Sequence, residues 1–245
     1  MFEFTGKIRY SETDSEGKLS LESLLDYFQD CSTFQSEALG VGINYLKELH
    51  LAWVLTSWQI VIRRYPKLCE EVVTGTFPYD FKGCLGSRNF YMKDKDGNFL
   101  AYANSLWSLM DMEAGKLAFP PEHMLQAYPL EPKLDMEYAP RKILVPEDSG
   151  EGVQAGWQEE FVVRSYHLDT NHHVNNGQFI RMAMSFLPEN IVVKQMRAEY
   201  KKQAFLNDVL RPWVVCRDDL YIVSLRDREG RPYVNVEFQI ERQGC

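Results

Sequence analysis

The sequence lacks most features that would place it at once. It has no run of eighteen apolar residues, so nothing in it reads as a membrane-spanning helix. No N-terminal segment combines a basic stretch, an apolar stretch and a cleavage site, so a cytoplasmic location is expected. The five cysteines, Cys31, Cys69, Cys84, Cys216 and Cys245, are odd in number and show no CxxC spacing. That argues for reduced thiols rather than a disulfide framework or a zinc site. Basic residues are outnumbered, 27 Lys and Arg against 35 Asp and Glu, giving a net charge of −8 and a pI near 5.2. This balance speaks against nucleic-acid binding. No nucleotide-binding loop is evident. Histidine is scarce, five in 245 residues, yet two of the five are adjacent, His172 and His173.

Those two lie in Asp169-Thr170-Asn171-His172-His173-Val174-Asn175-Asn176, which packs a carboxylate, three carboxamides and two imidazoles into eight residues. Phe179, Ile180, Ala183, Met184 and Leu187 follow at the spacing of one helix face and run up to Pro188. Asn175 or Asn176 is a natural N-cap. The cluster therefore sits where the first helical N–H groups lack partners and the helix dipole is positive. Such a place can keep a carboxylate ionised, a histidine neutral and a carbonyl oxygen polarised. The plain alternative is that Asx-rich loops before helices serve only as caps and turns.

The chain also repeats itself. Arg9–Asp14 resembles Arg164–Asp169 at an offset of 155, and Leu24-Leu25 matches Phe179-Ile180 at the same offset. A first helix is expected from Leu21 to Ala38, ending near Gly40. Strands are expected over Ala52–Arg64, Val72–Phe81, Arg88–Lys93 and Phe99–Met112, mirrored by Val192–Lys202, Val209–Cys216, Leu220–Asp227 and Tyr233–Arg242. Asp96-Gly97 and Glu229-Gly230 suit hairpin turns. Hydrophobic content of 45% supplies ample core for two modules. We expect an N-terminal module over 1–119, a Pro-rich linker over 120–152 and a C-terminal module over 153–245. At offset 155 Asn171 faces Glu16 and His173 faces Lys18, whereas Asp169 faces Asp14. The C-terminal half is thus expected to carry the chemistry, and the N-terminal half to shape a binding cavity.

At these residues the chain resembles the acyl-acyl carrier protein thioesterases of bacteria and plant plastids. The resemblance runs nearly end to end. Besides Asp169–Asn176 it includes Ala52-Trp53-Val54-Leu55-Thr56, Arg63-Arg64-Tyr65-Pro66, Leu106–Asp111 and Glu199-Tyr200-Lys201-Lys202-Gln203. It implies an α+β fold of two tandem hot-dog modules, each a long helix wrapped by an antiparallel β-sheet. It implies hydrolysis of fatty acyl-acyl carrier protein, which releases free fatty acid and terminates fatty acid synthesis, with no cofactor. The family's functional Asp, Asn and His fall on Asp169, Asn171 and His173. At a further family position Gln203 replaces an acid and Ala204 a cysteine, so neither a thiol nucleophile nor a glutamate base acts there. Gln203 can still orient water or hydrogen-bond a carbonyl.

On that reading Asp169 is base or nucleophile, His173 orients water or shuttles a proton, and the N–H groups of Val174–Gly177 stabilise an oxyanion. His172 and His167 are weaker candidates. Asn175 and Asn176 cap the helix or touch substrate. Trp53, Leu55 and Trp58 either line an acyl groove or pack the core. Arg63, Arg64, Lys67, Arg88, Lys201 and Lys202, with Lys93, are the basic residues that can meet an acidic carrier protein. No metal site is expected, and neither nucleic acid nor stable membrane insertion. A homodimer is compatible with the reading. Alternatives are an acyl-coenzyme A thioesterase, a non-catalytic acyl-thioester-binding hot-dog protein, and a hot-dog hydratase.

Overall fold

Helix formation is set by apolar spacing and a cap. In α1 (Leu21–Ala38) the buried side chains are Leu21, Leu24, Leu25, Tyr27, Phe28, Cys31 and Gln35, which recur at three- and four-residue steps along one face. Ser20 caps it, its hydroxyl accepting the Ser23 N–H at 3.2 Å. The computed structural model describes residues 1–147, 150, 152–169 and 171–242. The chain divides into two compact units, Met1–Thr56 with Ile60–Tyr138, and Ser57–Gln59 with Ala139–Cys245.

The first unit contains β1 (Phe2–Lys7), α1, the short α2 (Ile43–Glu48), most of β2 (Leu51–Ile62), β3 (Glu71–Lys82), β4 (Leu85–Asp94), β5 (Phe99–Asp111), β6 (Lys116–Leu117) and α3 (Glu122–Ala127). Its strand order is β1-β3-β4-β5-β2, with β6 on β5. The β1–β3, β3–β4 and β4–β5 ladders are antiparallel. β1 alternates half-buried and exposed residues, the period of a strand with one covered face. α1 lies on this sheet, with the Phe28 and Phe90 rings 5.5 Å apart and the Cys31 thiol on the Thr74 carbonyl at 3.5 Å.

The second unit contains β7 (Gln154–Trp157), β8 (Phe161–Val162), α4 (Asn176–Met184), β9 (Ile191–Tyr200), β10 (Val209–Arg217), β11 (Leu220–Arg226) and β12 (Pro232–Arg242). Its order is β9-β12-β11-β10-β7, antiparallel throughout, with β8 on β10. α4 buries Gly177, Phe179, Ile180, Met182 and Ala183. Each unit is thus a helix on an antiparallel sheet, the expected hot-dog arrangement.

Two expectations need adjustment. α4 stops at Met184 instead of running to Pro188. Ser185, Phe186 and Leu187 donate to the carbonyls three residues back, a tightened last turn before a proline that cannot continue the ladder. Residues 120–147 are not a loose spacer. Met124 of α3 is fully buried against Val41 and Tyr128. Buried Asn89 accepts from the Leu134 N–H and the Tyr138 hydroxyl, both at 3.0 Å. In the second unit Glu147 pairs with Arg226 through two bonds of 2.8 and 3.0 Å, and Trp213 donates to the Pro146 carbonyl at 2.8 Å. Among the described residues no helix is long and apolar enough to cross a membrane.

Candidate active site

The turn before α4 is built around Asp169. Its Oδ1 accepts the backbone N–H of Asn171 at 2.8 Å and of His173 at 3.2 Å. Its own N–H donates to the His173 carbonyl at 2.8 Å, and the His172 N–H to the Asp169 carbonyl at 3.1 Å. His172 sits at φ 61°, the left-handed conformation this closure requires. Thr170 of the motif lies outside the described residues.

The same turn occurs in the first unit, bond for bond. Asp14 Oδ1 accepts from Glu16 N at 2.9 Å and Lys18 N at 3.0 Å, and Asp14 N donates to the Lys18 carbonyl at 2.8 Å. Gly17 takes the place of His172, at φ 70°. Leu19 donates to the Pro66 carbonyl as Val174 donates to that of Ala204. The 155-residue offset is therefore a repeat of hydrogen bonds as well as of residue types, and one oxygen of each aspartate is a structural acceptor.

What differs is the chemistry hung on the turn. In the first unit Lys18 and Glu16 pair with each other at 2.6 Å. In the second, the Asn171 side chain is exposed and has no hydrogen-bond partner among the described residues. His173 is half-buried with its ring edge-on to Phe205, centroids 4.9 Å apart. Gln203 is exposed and likewise without a side-chain partner among the described residues. Its neighbours tie it to the turn, since Ala204 accepts the Val174 N–H at 2.9 Å and Phe205 covers His173. Residues 203–205 thus run beside 173–174. Phe205 was not singled out from sequence. The signal was there at offset 138, where Phe205 stands opposite Lys67 of the first unit.

The expected oxyanion donors are mostly taken. Val174 N donates to Ala204, Asn175 N to the His167 carbonyl at 2.9 Å, and Gly177 N to Asn175 Oδ1 at 2.7 Å. Only the Asn176 N–H of that set is left without a partner among the described residues. Asn175 is accordingly a cap, and Asn176, the first residue of α4, accepts the hydroxyl of half-buried Tyr200 on its carbonyl at 3.1 Å. His167 Nδ1 accepts the Arg164 N–H at 3.0 Å, and burial, then the Arg164 charge, lowers its pKa. His172 is exposed.

Leu55 and Trp58 are buried, 3% and 2% exposed, and Trp53 is half-buried against Phe81. Burial and ring contact of this kind fit the core-packing alternative. Three of the basic set are ion-paired. Arg64 is bidentate to Glu70, Lys201 bonds Glu199 at 2.5 Å, and Lys202 bonds Asp227. Arg88 must be removed from any docking surface. It is 8% exposed beneath α1, where a strand residue of the inner sheet face points by alternation, and burial lowers its pKa. Arg63 reaches the Tyr102 hydroxyl at 3.2 Å, and Lys67 is exposed without an ion pair among the described residues. No cluster of metal-ligating side chains occurs among the described residues.

Two hot-dog units, one with a carboxylate–amide–imidazole turn at the start of its helix, place the chain among the tandem hot-dog proteins. The family models agree. The acyl-ACP thioesterase N-terminal domain matches residues 1–128 and the acyl-ACP thioesterase C-terminal domain residues 150–220, where ACP denotes acyl carrier protein. The chain belongs to the acyl-ACP thioesterase family. A chloroplastic acyl-(acyl-carrier-protein) hydrolase of Cuphea viscosissima is 25% identical over 219 residues, covering 83% of this chain and 52% of the relative. The chloroplastic oleoyl-acyl carrier protein thioesterase 1 of Arabidopsis thaliana is 24% identical over 223 residues, covering 83% and 60%. The chain spans between half and three-fifths of these relatives. In structure it resembles an acyl-ACP thioesterase from Bacteroides thetaiotaomicron (TM-score 0.86, 19% identity, 98% of this chain and 97% of that one). It also resembles the 12:0-ACP thioesterase from Umbellularia californica (TM-score 0.84, 18% identity, 99% and 97%). At those identities the likeness concerns the fold.

Proposed function

We propose that this protein hydrolyses the thioester of fatty acyl-acyl carrier protein, releasing free fatty acid and ending chain growth. The observation that carries the reading is the second copy of a duplicated turn. Family membership spans both units, yet only the second copy carries, in His173 and Asn171, an imidazole and an amide side chain without hydrogen-bond partners among the described residues. A turn needed solely as a cap has no use for that difference, because Glu16 and Lys18 close the first copy equally well.

The chemistry follows from which atoms are uncommitted. Asp169 Oδ1 holds the turn, so Oδ2 is the oxygen available as base or nucleophile. His173, held by Phe205, orients water or passes a proton to the departing thiolate. That demand is modest, since a pantetheine thiol leaves readily. The Asn176 N–H, with the amides of Asn171 and Gln203, supplies donors for the developing oxyanion. Gln203 in place of an acid leaves Asp169 the one carboxylate of the set. A cytoplasmic setting suits Cys31, Cys69, Cys84 and Cys216, which are free thiols among the described residues.

The test is free-thiol release from matched acyl-acyl carrier protein and acyl-coenzyme A substrates. Greater kcat/KM on the carrier protein is expected. Equal or better cleavage of the coenzyme A thioester overturns the carrier assignment. If wild type releases no thiol and Gln203→Glu creates the activity, the chain is a binder and the reading fails.

A further inference from the structure

Beneath α1 runs a polar seam that the proposed reaction does not use. Cys31 and Gln35, one helical turn apart, face Thr74 and Thr76 of β3 and Arg88 of β4, and all five are buried. Thr74 and Thr76 alternate with Gly75, so they share the inner face of the strand. Arg88, opposite Pro78 in the β3–β4 ladder, projects to that same face. Its Nη1 donates to Gln35 Oε1 and to Thr76 Oγ1, the latter at 3.2 Å, and its guanidinium lies 5.4 Å from the centre of the Tyr128 ring.

The charge is not balanced. No carboxylate pairs with Arg88 among the described residues, and the groups that act on it electrostatically are Tyr128 and Cys31. Nε and Nη2, the edge that matches a carboxylate with two parallel bonds, meet no acceptor among the described residues. Thr74 adds a second observation, a hydroxyl that is fully buried and has no hydrogen-bond partner among the described residues. Buried donors of this kind are rarely left idle. A cation is more costly still to leave without an anion. The side chains alongside, Phe28, Phe90 and Tyr128, are aromatic and suit an aliphatic neighbour.

We propose that Arg88 and Thr74 form a buried subsite in the first unit that binds the carboxylate of an aliphatic acid. Gln35 and Thr76 position the guanidinium by fixing Nη1, leaving its other edge for the ligand. The carboxylate has two sources, the head of a free fatty acid or the far end of a dicarboxylic chain. The subsite is independent of the thioesterase reading, because it is tested by binding and stands or falls whether or not the chain releases thiol.

Isothermal titration of the full chain with dodecanoate, dodecanedioate and 1-dodecanol decides it. Arg88→Met is expected to weaken dodecanoate binding by about ten- to a hundredfold, the scale of losing a charge-assisted bidentate pair, and to change dodecanol binding by less than about threefold. Tighter, Arg88-dependent binding of the diacid than of the monoacid assigns the far carboxylate. Equal binding of the two assigns the head. Dodecanoate affinity unchanged by Arg88→Met, or no binding of either acid by wild type, overturns the proposal. If Arg88→Met does not fold, Arg88→Lys and Thr74→Val take its place. Lysine keeps the charge and loses the forked edge, and valine removes one hydroxyl at constant shape. Weaker dodecanoate binding by both supports the subsite, and unchanged affinity in either one rejects it.

Discussion

Asp14 and Asp169 each commit one carboxylate oxygen to the backbone N–H groups two and four residues on, so Asp169 has a structural duty whatever else it does. Substitution can separate the two roles. Asparagine keeps an oxygen that accepts both bonds but loses the charge, so Asp169→Asn should fold and show a kcat about a hundredfold lower, the usual scale for losing a general base. Asp14→Asn is the control and should leave thiol release unchanged. Near-normal turnover by Asp169→Asn moves the base to His173. Gln203→Ala should lower kcat about fivefold, the worth of one neutral hydrogen bond of roughly 1 kcal/mol. His172 offers a test free of chemistry. Its φ of 61° is matched by Gly17 at 70° in the other copy, and its side chain is exposed. His172→Val should cost about 1 kcal/mol, because a β-branched residue tolerates that region poorly. His172→Gly should not. Thermal melts of the two variants, with turnover unchanged in both, check this.

At the scale of elements the strands and α1 were legible because their signals are local. Leu21, Leu24, Leu25 and Phe28 mark a helix face, and Asp96-Gly97 and Glu229-Gly230 mark hairpins. Asp169, Asn171, His173 and Gln203 were read from one motif and one resemblance. Arg88 was misread as surface because a lone arginine in a strand carries no sign of which face it takes, and nothing near it in sequence names Gln35 as its partner. The occupied N–H groups of Val174 and Asn175 were equally hidden, since their acceptors, Ala204 and His167, lie outside the motif. The β11–β12 turn offers a further test. Asp227 is held far below the ordinary carboxylate range. Burial opposes this, while bonds from Lys202 Nζ and from the backbone and side chain of Arg231 outweigh it. A depressed carboxylate adds stability above its unfolded pKa, near 3.9 for aspartate, and loses it as pH falls towards the folded value. The difference in Tm between wild type and Asp227→Asn should therefore be constant from about pH 5 to 8 and shrink below about pH 4. A difference that persists undiminished at low pH would show that the pairing is not its source.

Over the whole molecule the proposed function raises the question of how a chain of net charge −8 would attract an acidic carrier protein. Several of the basic residues considered for docking are answered from within. Glu70 holds Arg64, Glu199 holds Lys201, Asp227 holds Lys202, and Arg88 is buried. Among the residues first considered for docking, Arg63, Lys67 and Lys93 keep charges without an acidic partner among the described residues; Lys93 lies over the Tyr91 and Phe99 rings, while Arg63 and Lys67 are exposed. Long-range steering should accordingly be weak, because paired charges project little field beyond a Debye length of about 8 Å at physiological salt. The preference for acyl-acyl carrier protein over acyl-coenzyme A should then shrink by less than about tenfold between 0.05 and 0.5 M salt, far from the steep dependence of strongly steered pairs. Reversing the two exposed charges in Arg63→Glu/Lys67→Glu should lower kcat/KM on the carrier-protein substrate, chiefly through association, and leave turnover of acyl-coenzyme A unchanged. Both residues belong to the first unit and the Asp169 turn to the second, so a matching loss on both substrates would point to misfolding. A carrier preference that ignores both the salt and the double variant would place recognition in apolar contacts to the pantetheine arm and acyl chain, and not in the protein surface.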